Sequence, residues 1–437
     1  MSERLDILLR IIFNRLFRKG LDGTEPSVVA NSQLEEISRA VARLSELYTH
    51  DRADLRHNLL QEPDLRLAYL AYFLPSNFLK INAILHEIWL HPEVKRLFPE
   101  RLRILDLGCG PGTQLLGCLD FLSQQLSPEG IECVGVDSLE SNLQDTRYLF
   151  DSFAAELSAS TVVTGSTLER TNAPALVDRT RWSLETYRAD VSRPLKLQAG
   201  SPFDFIIMGN VLNELFTGDD RRIEKRSRRI AALIHDWLAP NGFLILMEPA
   251  LRETSRELLC VRDRLLDMLP LAVYSPCVHS QPCPAVAPGC TSDWCHEDHA
   301  WQTPSWIRQI DERTGLRKSS LKYSYVVFNR MGLSIRDAAL DVARSNRQAV
   351  PADNQVWRVV SETLEERGKA VAYLCGAEGR FRVTRLNKHA SPANADFTSL
   401  NRGQVVSTGS LVTKSVMDRR LQAETPLCIL TGKRKPC

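Results

Sequence analysis

The 437-residue chain holds no apolar run of the roughly 18 to 20 residues that a membrane-spanning helix needs, so no membrane role is expected. It also lacks an excess charge of either sign: 55 Lys and Arg stand against 53 Asp and Glu, a formal net charge of +2. Composition therefore gives no case for nucleic-acid binding, and local clusters must carry one. No export signal is visible, and Glu3 and Asp6 among the first bases fit a transit peptide poorly, because those are nearly free of acids. The expected location is the cytoplasm in a bacterium or the mitochondrial matrix in a eukaryote. Eleven cysteines without an export signal read as thiols or metal ligands, since disulfides rarely persist in reducing compartments. No internal repeat is evident.

Charged residues at 25% and apolar ones at 43% are the balance of a globular chain, and its length calls for more than one domain. Leu5, Leu8, Leu9, Ile12 and Leu16, then Leu34, Ile37, Val41, Leu44 and Leu47, recur at helical spacing. Residues 1–99 are expected to be a helical region. Its first helix carries Arg4, Arg10, Arg15, Arg18 and Lys19, a face for RNA or acidic lipid, or more simply a solvated basic face. From Arg103 short apolar runs alternate with helical stretches: Ile104 to Leu107, Cys133 to Val136, Phe205 to Met208 and Phe243 to Met247. That alternation implies a parallel sheet. The expected fold is α/β, with a Rossmann-like domain over 100–273. The Ser/Thr/Ala-rich stretch from Leu157 to Thr180 reads as an insertion or loop. Residues 274–354 hold a Cys, Pro and His-rich loop and the last strands of that domain, and 355–437 read as a small β-rich, barrel-like (OB-like) domain.

The segment from Ile104 to Thr113 leads from a strand through Gly108, Gly110 and Gly112 into a helix, and glycines let a ligand approach the backbone closely. The spacing is not the G-x-G-x-x-G of dinucleotide folds. Asp106 inside the turn suits a cationic, amino-acid-bearing cofactor better than a pyrophosphate. These features resemble the first motif of class I methyltransferases, whose cofactor is S-adenosylmethionine. Asp137 ends the next strand about thirty residues on, placed for ribose hydroxyls, and Asp190 sits where this fold contacts the adenine amine. The fourth strand ends at Asn210, which faces the reactive methyl by the switch-point rule. No Asn-Pro-Pro-aromatic motif follows it. Asn210, Asn213 and Glu214 are the weak catalytic candidates there, and Glu214 reads equally well as a surface residue.

Cys277 and Cys283 lie six apart and Cys295 twelve further on, on one Pro-stiffened loop. Three thiolates so placed make a metal site the better reading, but the spacing is not the C-x2-C of a zinc ribbon. Zinc and an iron–sulfur cluster both remain open. Cys290, His279, His296 and the distant Cys375 are candidates for the fourth ligand.

Together with residues 67–75, Val211 to Leu215, Leu246 to Pro249, Tyr323 to Val327 and Leu374 to Gly376, the glycine turn and cysteine loop resemble a mitochondrial and bacterial small-ribosomal-subunit methyltransferase-like family of ribosome-assembly factors. The resemblance implies a 4Fe-4S cluster on Cys277, Cys283, Cys295 and Cys375, binding to the small ribosomal subunit or its rRNA, and a role in ribosome assembly or translation. Methyl transfer to that RNA is left open, and no DNA partner is expected. The chain departs from the pattern at His296-Glu-Asp-His299 and in a tail less basic than expected, despite Lys433-Arg-Lys435. Two rivals stand beside this reading: a non-catalytic assembly protein, and a protein or small-molecule methyltransferase with a structural zinc. RNA surfaces are sought in the basic stretch 219–229 and in Arg380, Phe381, Arg382 and Arg385.

Overall fold

The computed structural model describes residues 3–17, 31–49, 58–98, 101–125, 130–163, 182–198, 200, 202–348, 350 and 355–431. The chain begins with helices α1 (Glu3–Phe17), α2 (Asn31–Thr49) and α3 (Pro63–Ala68), a π-helical turn at Tyr69–Phe73, and helices α4 (Leu74–Ile88) and α5 (Val94–Leu97). The apolar faces read from the sequence are the buried ones: Leu5, Leu8, Ile12, Leu34, Ile37, Val41 and Leu44 are at most 2% exposed.

Strands β1 (Arg101–Leu107), β2 (Gly130–Asp137), β3 (Trp182–Arg188), β4 (Phe203–Gly209) and β5 (Leu238–Pro249) then alternate with α6 (Thr113–Gln125), α7 (Glu140–Val163) and α8 (Arg222–Trp237). They are followed by α9 (Arg252–Met268), β6 (Ala272–Ser275), β7 (Glu297–Ala300), α10 (Ser305–Thr314), β8 (Ser320–Asn329) and α11 (Ile335–Ser345). The sheet order is β3-β2-β1-β4-β5-β8-β6, with β7 on β8. β1 to β5 pair in parallel, and β8 runs antiparallel to β5 and β6. Parallel strands covered on both faces must be apolar almost throughout, as Phe243 to Met247 are, all fully buried. The order reverses beside β1, which puts the crevice of a ligand site at the carboxyl ends of β1 and β4. Helix α7 reaches Val163, so the first part of the expected 157–180 insertion is helix; residues 164–180 lie outside the described residues.

Helix α4 covers the sheet through α6. Asn82 donates to the carbonyl of Gly117 at 3.0 Å, and a Cβ at Gly117 would stand 2.3 Å from Ile81 Cγ2 and 2.6 Å from the Phe78 carbonyl. Gly117→Ala should therefore destabilise the protein by roughly 2 kcal/mol, overpacking outweighing the better helix propensity of alanine. Denaturant unfolding checks it, and an unchanged midpoint would refute so close a contact.

The C-terminal region is a second sheet built from β9 (Gln355–Val359), β10 (Leu364–Glu366), β11 (Lys369–Gly376), β12 (Gly379–Leu386), β13 (Val405–Thr408), β14 (Val412–Thr413), β15 (Asp418–Leu421) and β16 (Leu427–Ile429). Its order is β14-β15-β12-β11-β9-β13-β16, with β10 on β11. Trp357, Leu374, Phe381, Val383 and Phe397 form its own core. Val356, Val405 and Leu430 join the main core. No helix among the described residues is long and apolar enough to cross a membrane.

Candidate functional site

β1 runs into the turn Gly108, Gly110, Gly112, with φ of +71°, +53° and +83°, a left-handed path that glycine follows without the penalty a Cβ brings. The turn is held by the Gly108 and Cys109 amides, which donate to the Val136 carbonyl at 2.7 and 3.0 Å. Asp106 beneath it is wholly buried, and neither carboxylate oxygen makes a hydrogen bond. Burial, and then the charge of Asp137, push its carboxyl well above the usual range. A buried carboxylate lacking donors suits a cationic ligand that brings its own.

Asp137 is more occupied than its sequence position suggested. It accepts from Gly110 N and Leu139 N, both at 2.9 Å, and from Asn142 Nδ2 at 3.1 Å. An ionised carboxylate offers about four acceptor positions, so little capacity is left for a ribose. Burial raises the Asp137 carboxyl while those N–H groups pull it down. Asp190 stands after β3, accepting from Ser192 N at 2.9 Å and pairing with Arg193 at 3.4 Å.

Asn210, just after β4, takes φ +61°, and its amide donates to the Met247 carbonyl at 2.7 Å. The following loop lies against the glycine turn: a Cβ at Gly108 would meet Val211 Cγ2 at 2.3 Å. Asn213 and Glu214 share a short 3₁₀ turn, Leu212–Glu214, on which Glu214 is exposed. Phe216 is left-handed at φ +56°, unusual for a bulky residue. Buried Arg226 fixes this loop, donating to the carbonyls of Leu215 and Asn213 at 2.8 and 3.1 Å and to Glu257 at 2.6 Å. Burial raises the Glu257 carboxyl, but Arg226 and Arg222 overcome it and hold the group below its ordinary value.

Cys277, Cys283, Cys295 and Cys375 line one small cavity of about 30 Å³, together with His279, His296 and Arg380. Cys290 is not on that wall. Cys375 comes from β11 of the second sheet, opposite Arg358 of β9 and Arg380 of β12. No disulfide joins the cysteines of the described residues. Burial first and the charge of Cys277 second push the Cys295 thiol up to about 11 and the Cys283 and Cys375 thiols higher still. Thiols that resist ionising beside one another ionise readily around a shared cation, because bound metal deprotonates a coordinating thiol. Among the described residues no group of three or more His, Cys, Asp or Glu side chains is arranged as a site for a metal ion.

Helix α9 braces both loops, which sequence reasoning missed. Arg256 donates to the carbonyls of Ala285, Asp293 and Cys290 at 2.6 to 2.7 Å. Arg262 donates to those of His279 and Gln281, both at 3.0 Å, and Asp263 accepts the Cys283 amide at 2.9 Å. Glu257, next to Arg256, grips Arg226 and through it the loop beside the glycine turn. An arginine at the fully buried position 262 of an otherwise amphipathic helix was the available signal.

The basic clusters serve the fold. Arg4, Arg10 and Arg15 pair with Asp120, Glu156 and Asp145; Arg18, Lys19 and Lys433 to Lys435 lie outside the described residues. In the 219–229 stretch Arg222 and Arg226 pair with Glu257, Lys225 with Asp219 and Arg228 with Glu224, and Arg229 bonds the carbonyls of Val191 and Arg193. Phe381 is buried against Trp357, and buried Arg385 bonds the Asn394 carbonyl at 2.8 Å. The surface proposed on Phe381 and Arg385 is therefore core, because the alternation of β12 turns both inward.

A β3-β2-β1-β4-β5 parallel order with an antiparallel strand inserted beside β5, and a glycine turn after β1, defines a class I S-adenosylmethionine-dependent methyltransferase fold. The chain belongs to the family described as "Mitochondrial small ribosomal subunit Rsm22", which it matches over residues 63–395. No curated protein matches it in sequence. Among solved structures it is similar to a Listeria monocytogenes protein assigned to the class I S-adenosylmethionine-dependent methyltransferases, at 12% identity over 75% of this chain and 88% of that one, TM-score 0.34. An rRNA methylase from Streptococcus thermophilus is similar at 12% identity over 56% and 93%, TM-score 0.23. The chain spans 62% of the length of an Escherichia coli protein that it resembles at 14% identity over 53% of its own, TM-score 0.24. The fold assignment rests on strand order and register, not on these likenesses.

Proposed function

We propose that the chain is a small-subunit ribosome-associated factor of the mitochondrial matrix that binds S-adenosylmethionine at the β1 turn and a 4Fe-4S cluster on Cys277, Cys283, Cys295 and Cys375. The observation carrying the reading is that these four cysteines, drawn from a loop of the methyltransferase domain and from a strand of the second sheet, line one cavity. Four thiols of this kind are the usual ligand set of such a cluster. Membership of the small-subunit family supports the ribosomal partner.

S-adenosylmethionine, when bound, supplies a methyl group on a sulfonium. Asp106 would hold its cationic end, with the backbone at Gly108, Gly110 and Gly112 admitting it closely, Asp137 retaining its one spare acceptor for a hydroxyl, and Asp190 beyond. Asn210, Asn213 and Glu214 would orient the acceptor, which is proposed to be rRNA. Alignment alone lowers a bimolecular barrier greatly, so these residues need no nucleophile of their own.

Asp106→Asn tests the cofactor site. Loss of the carboxylate that meets a ligand cation should weaken S-adenosylhomocysteine binding by about 100-fold, some 3 kcal/mol in the range for a charged hydrogen bond, with the melting temperature maintained or raised, since a strained buried acid is removed. Calorimetric titration reads it. Unchanged affinity would overturn the assignment of Asp106, and a wild-type chain that binds no S-adenosylhomocysteine would overturn the cofactor.

A further inference from the structure

The aromatic run at residues 69–73 is used by neither the glycine turn nor the cysteine cavity. It forms the π-helical turn Tyr69–Phe73, a rare backbone form concentrated at functional sites. Tyr48, from the end of α2, completes a ring cluster with it. Tyr48 meets Phe73 edge-on at 5.6 Å between centroids, Tyr69 lies nearly parallel to Phe73 at 6.1 Å, and Tyr72 meets it edge-on at 5.2 Å. Tyr72 is buried, but Tyr48, Tyr69 and Phe73 are only half-buried.

One end of this cluster touches the cofactor turn. The Tyr69 hydroxyl and Thr113 Oγ1, at the start of α6, share a hydrogen bond of 3.2 Å, and Glu214 lies within electrostatic reach of both Tyr48 and Tyr69. The other end is cationic. Lys318 Nζ stands 5.0 Å from the Phe73 centroid and 5.5 Å from that of Tyr72. Lys80 on α4, only 7% exposed, is within electrostatic reach of Lys318. Among the described residues the carboxylate offsetting this pair is Asp311, which already accepts the Tyr72 hydroxyl at 2.5 Å and the Lys318 amide at 2.9 Å. Burial lowers both amines, Lys80 well below its ordinary value and Lys318 to about 8, so Lys318 is the cation that stands beside the ring faces.

We propose that this cluster is a subsite for one unpaired nucleotide of RNA, the base on Tyr48, Tyr69 and Phe73 and its phosphate toward Lys318. The proposal rests on the RNA-directed reading above and names where the substrate strand sits. Every base has a π-face, so such a platform takes single strands with little regard for sequence. Its contact with Thr113 puts the base near the carboxyl ends of β1 and β4, where open α/β sheets bind ligands.

The test uses the full-length chain and a fluorescein-labelled single-stranded RNA of about ten nucleotides, within the span such platforms cover. Anisotropy across a salt series would be combined with ultraviolet crosslinking and peptide mapping. Tyr48→Leu should weaken binding by about tenfold. Lys318→Gln should reduce the slope of log affinity against log salt by about 0.7, the loss of one single-strand phosphate contact. Crosslinks should fall on peptides containing Tyr48 or residues 69–73, with S-adenosylhomocysteine affinity and melting temperature unaltered in Tyr48→Leu. Wild-type affinity in both variants, or equal binding of a duplex of the same sequence, would overturn the subsite while leaving RNA association standing, and the surface would then suit a protein partner. A wild-type chain that binds no RNA would overturn both.

Discussion

Cys375→Ser should leave the protein colourless after purification without oxygen, with iron falling from about four atoms per chain to near none. The size of this effect follows from where the four thiols come from. Cys277, Cys283 and Cys295 sit on a loop braced by Arg256 and Arg262, whereas Cys375 reaches the cavity from β11 of the other sheet. Serine keeps the shape but not the soft thiolate that iron–sulfur ligation uses. Cys277→Ser should bleach the protein equally. Because metal binding is linked to folding, losing the shared site should also loosen the second sheet from the first. Hydrogen exchange would show faster opening at β9, β11 and β12 and little change in β1, β2 and β4. Wild-type protein carrying one zinc that survives Cys375→Ser would overturn the cluster and return the site to a zinc held by loop residues. Cys290→Ser is the internal control: its side chain is off the cavity wall, and it should keep both colour and iron.

Much of the architecture was legible because burial writes itself into sequence periodicity. Ile104 to Leu107, Phe205 to Met208 and Phe243 to Met247 are apolar without interruption since helices cover both sheet faces, and the same runs proved to be β1, β4 and β5. Gly108, Gly110 and Gly112 were legible because their left-handed φ values leave glycine little competition. The cysteines could be grouped by composition alone, yet nothing in the spacing brought Cys375 to the loop; that needed the family resemblance, since spatial convergence over eighty residues leaves no local pattern. What could not be read was carried by side chains bonding backbone carbonyls. Arg226 and Arg256 look like surface bases of amphipathic helices, and their carbonyl partners carry no side-chain signature. The 219–229 stretch was ambiguous for a related reason, because the acid that neutralises Arg222 and Arg226 is Glu257, on the next helix. Asp137 was located correctly as a strand-end acid, but its filling by Gly110, Leu139 and Asn142 depends on turn geometry that residue identity does not fix.

Arg358→Met should be the most destabilising single substitution outside the hydrophobic core. Arg358 Nη2 donates to Glu87 Oε1 at 2.8 Å, to Glu297 Oε1 at 2.6 Å and to the Tyr325 hydroxyl at 3.3 Å. Its side chain is 4% exposed and those of both acids 5%. The three charges come from three parts of the chain: Glu87 from α4, Glu297 from β7 just beyond Cys295, and Arg358 from β9, where it faces Cys375. Burial alone would favour a neutral arginine and a protonated Glu297; their mutual charge reverses both, holding Arg358 above its ordinary value and Glu297 down at about 2. Methionine fills a similar volume but leaves two buried carboxylates without their shared cation. Breaking a buried pair in this way costs roughly 3 to 5 kcal/mol, which corresponds to a melting temperature lower by about 10 °C for a domain of this size. The pair's net worth is a separate quantity, because methionine against neutral partners escapes the desolvation cost of all three charges. Arg358→Met combined with Glu87→Gln and Glu297→Gln should therefore recover at least half of the loss, and a triple-mutant cycle built from the singles and pairs reads the coupling directly. A small loss in Arg358→Met alone would mean that water reaches the acids and that the three segments are not locked by charge. If instead the single variant melts early and also sheds its iron, the network is what holds Cys375 against the cysteine loop.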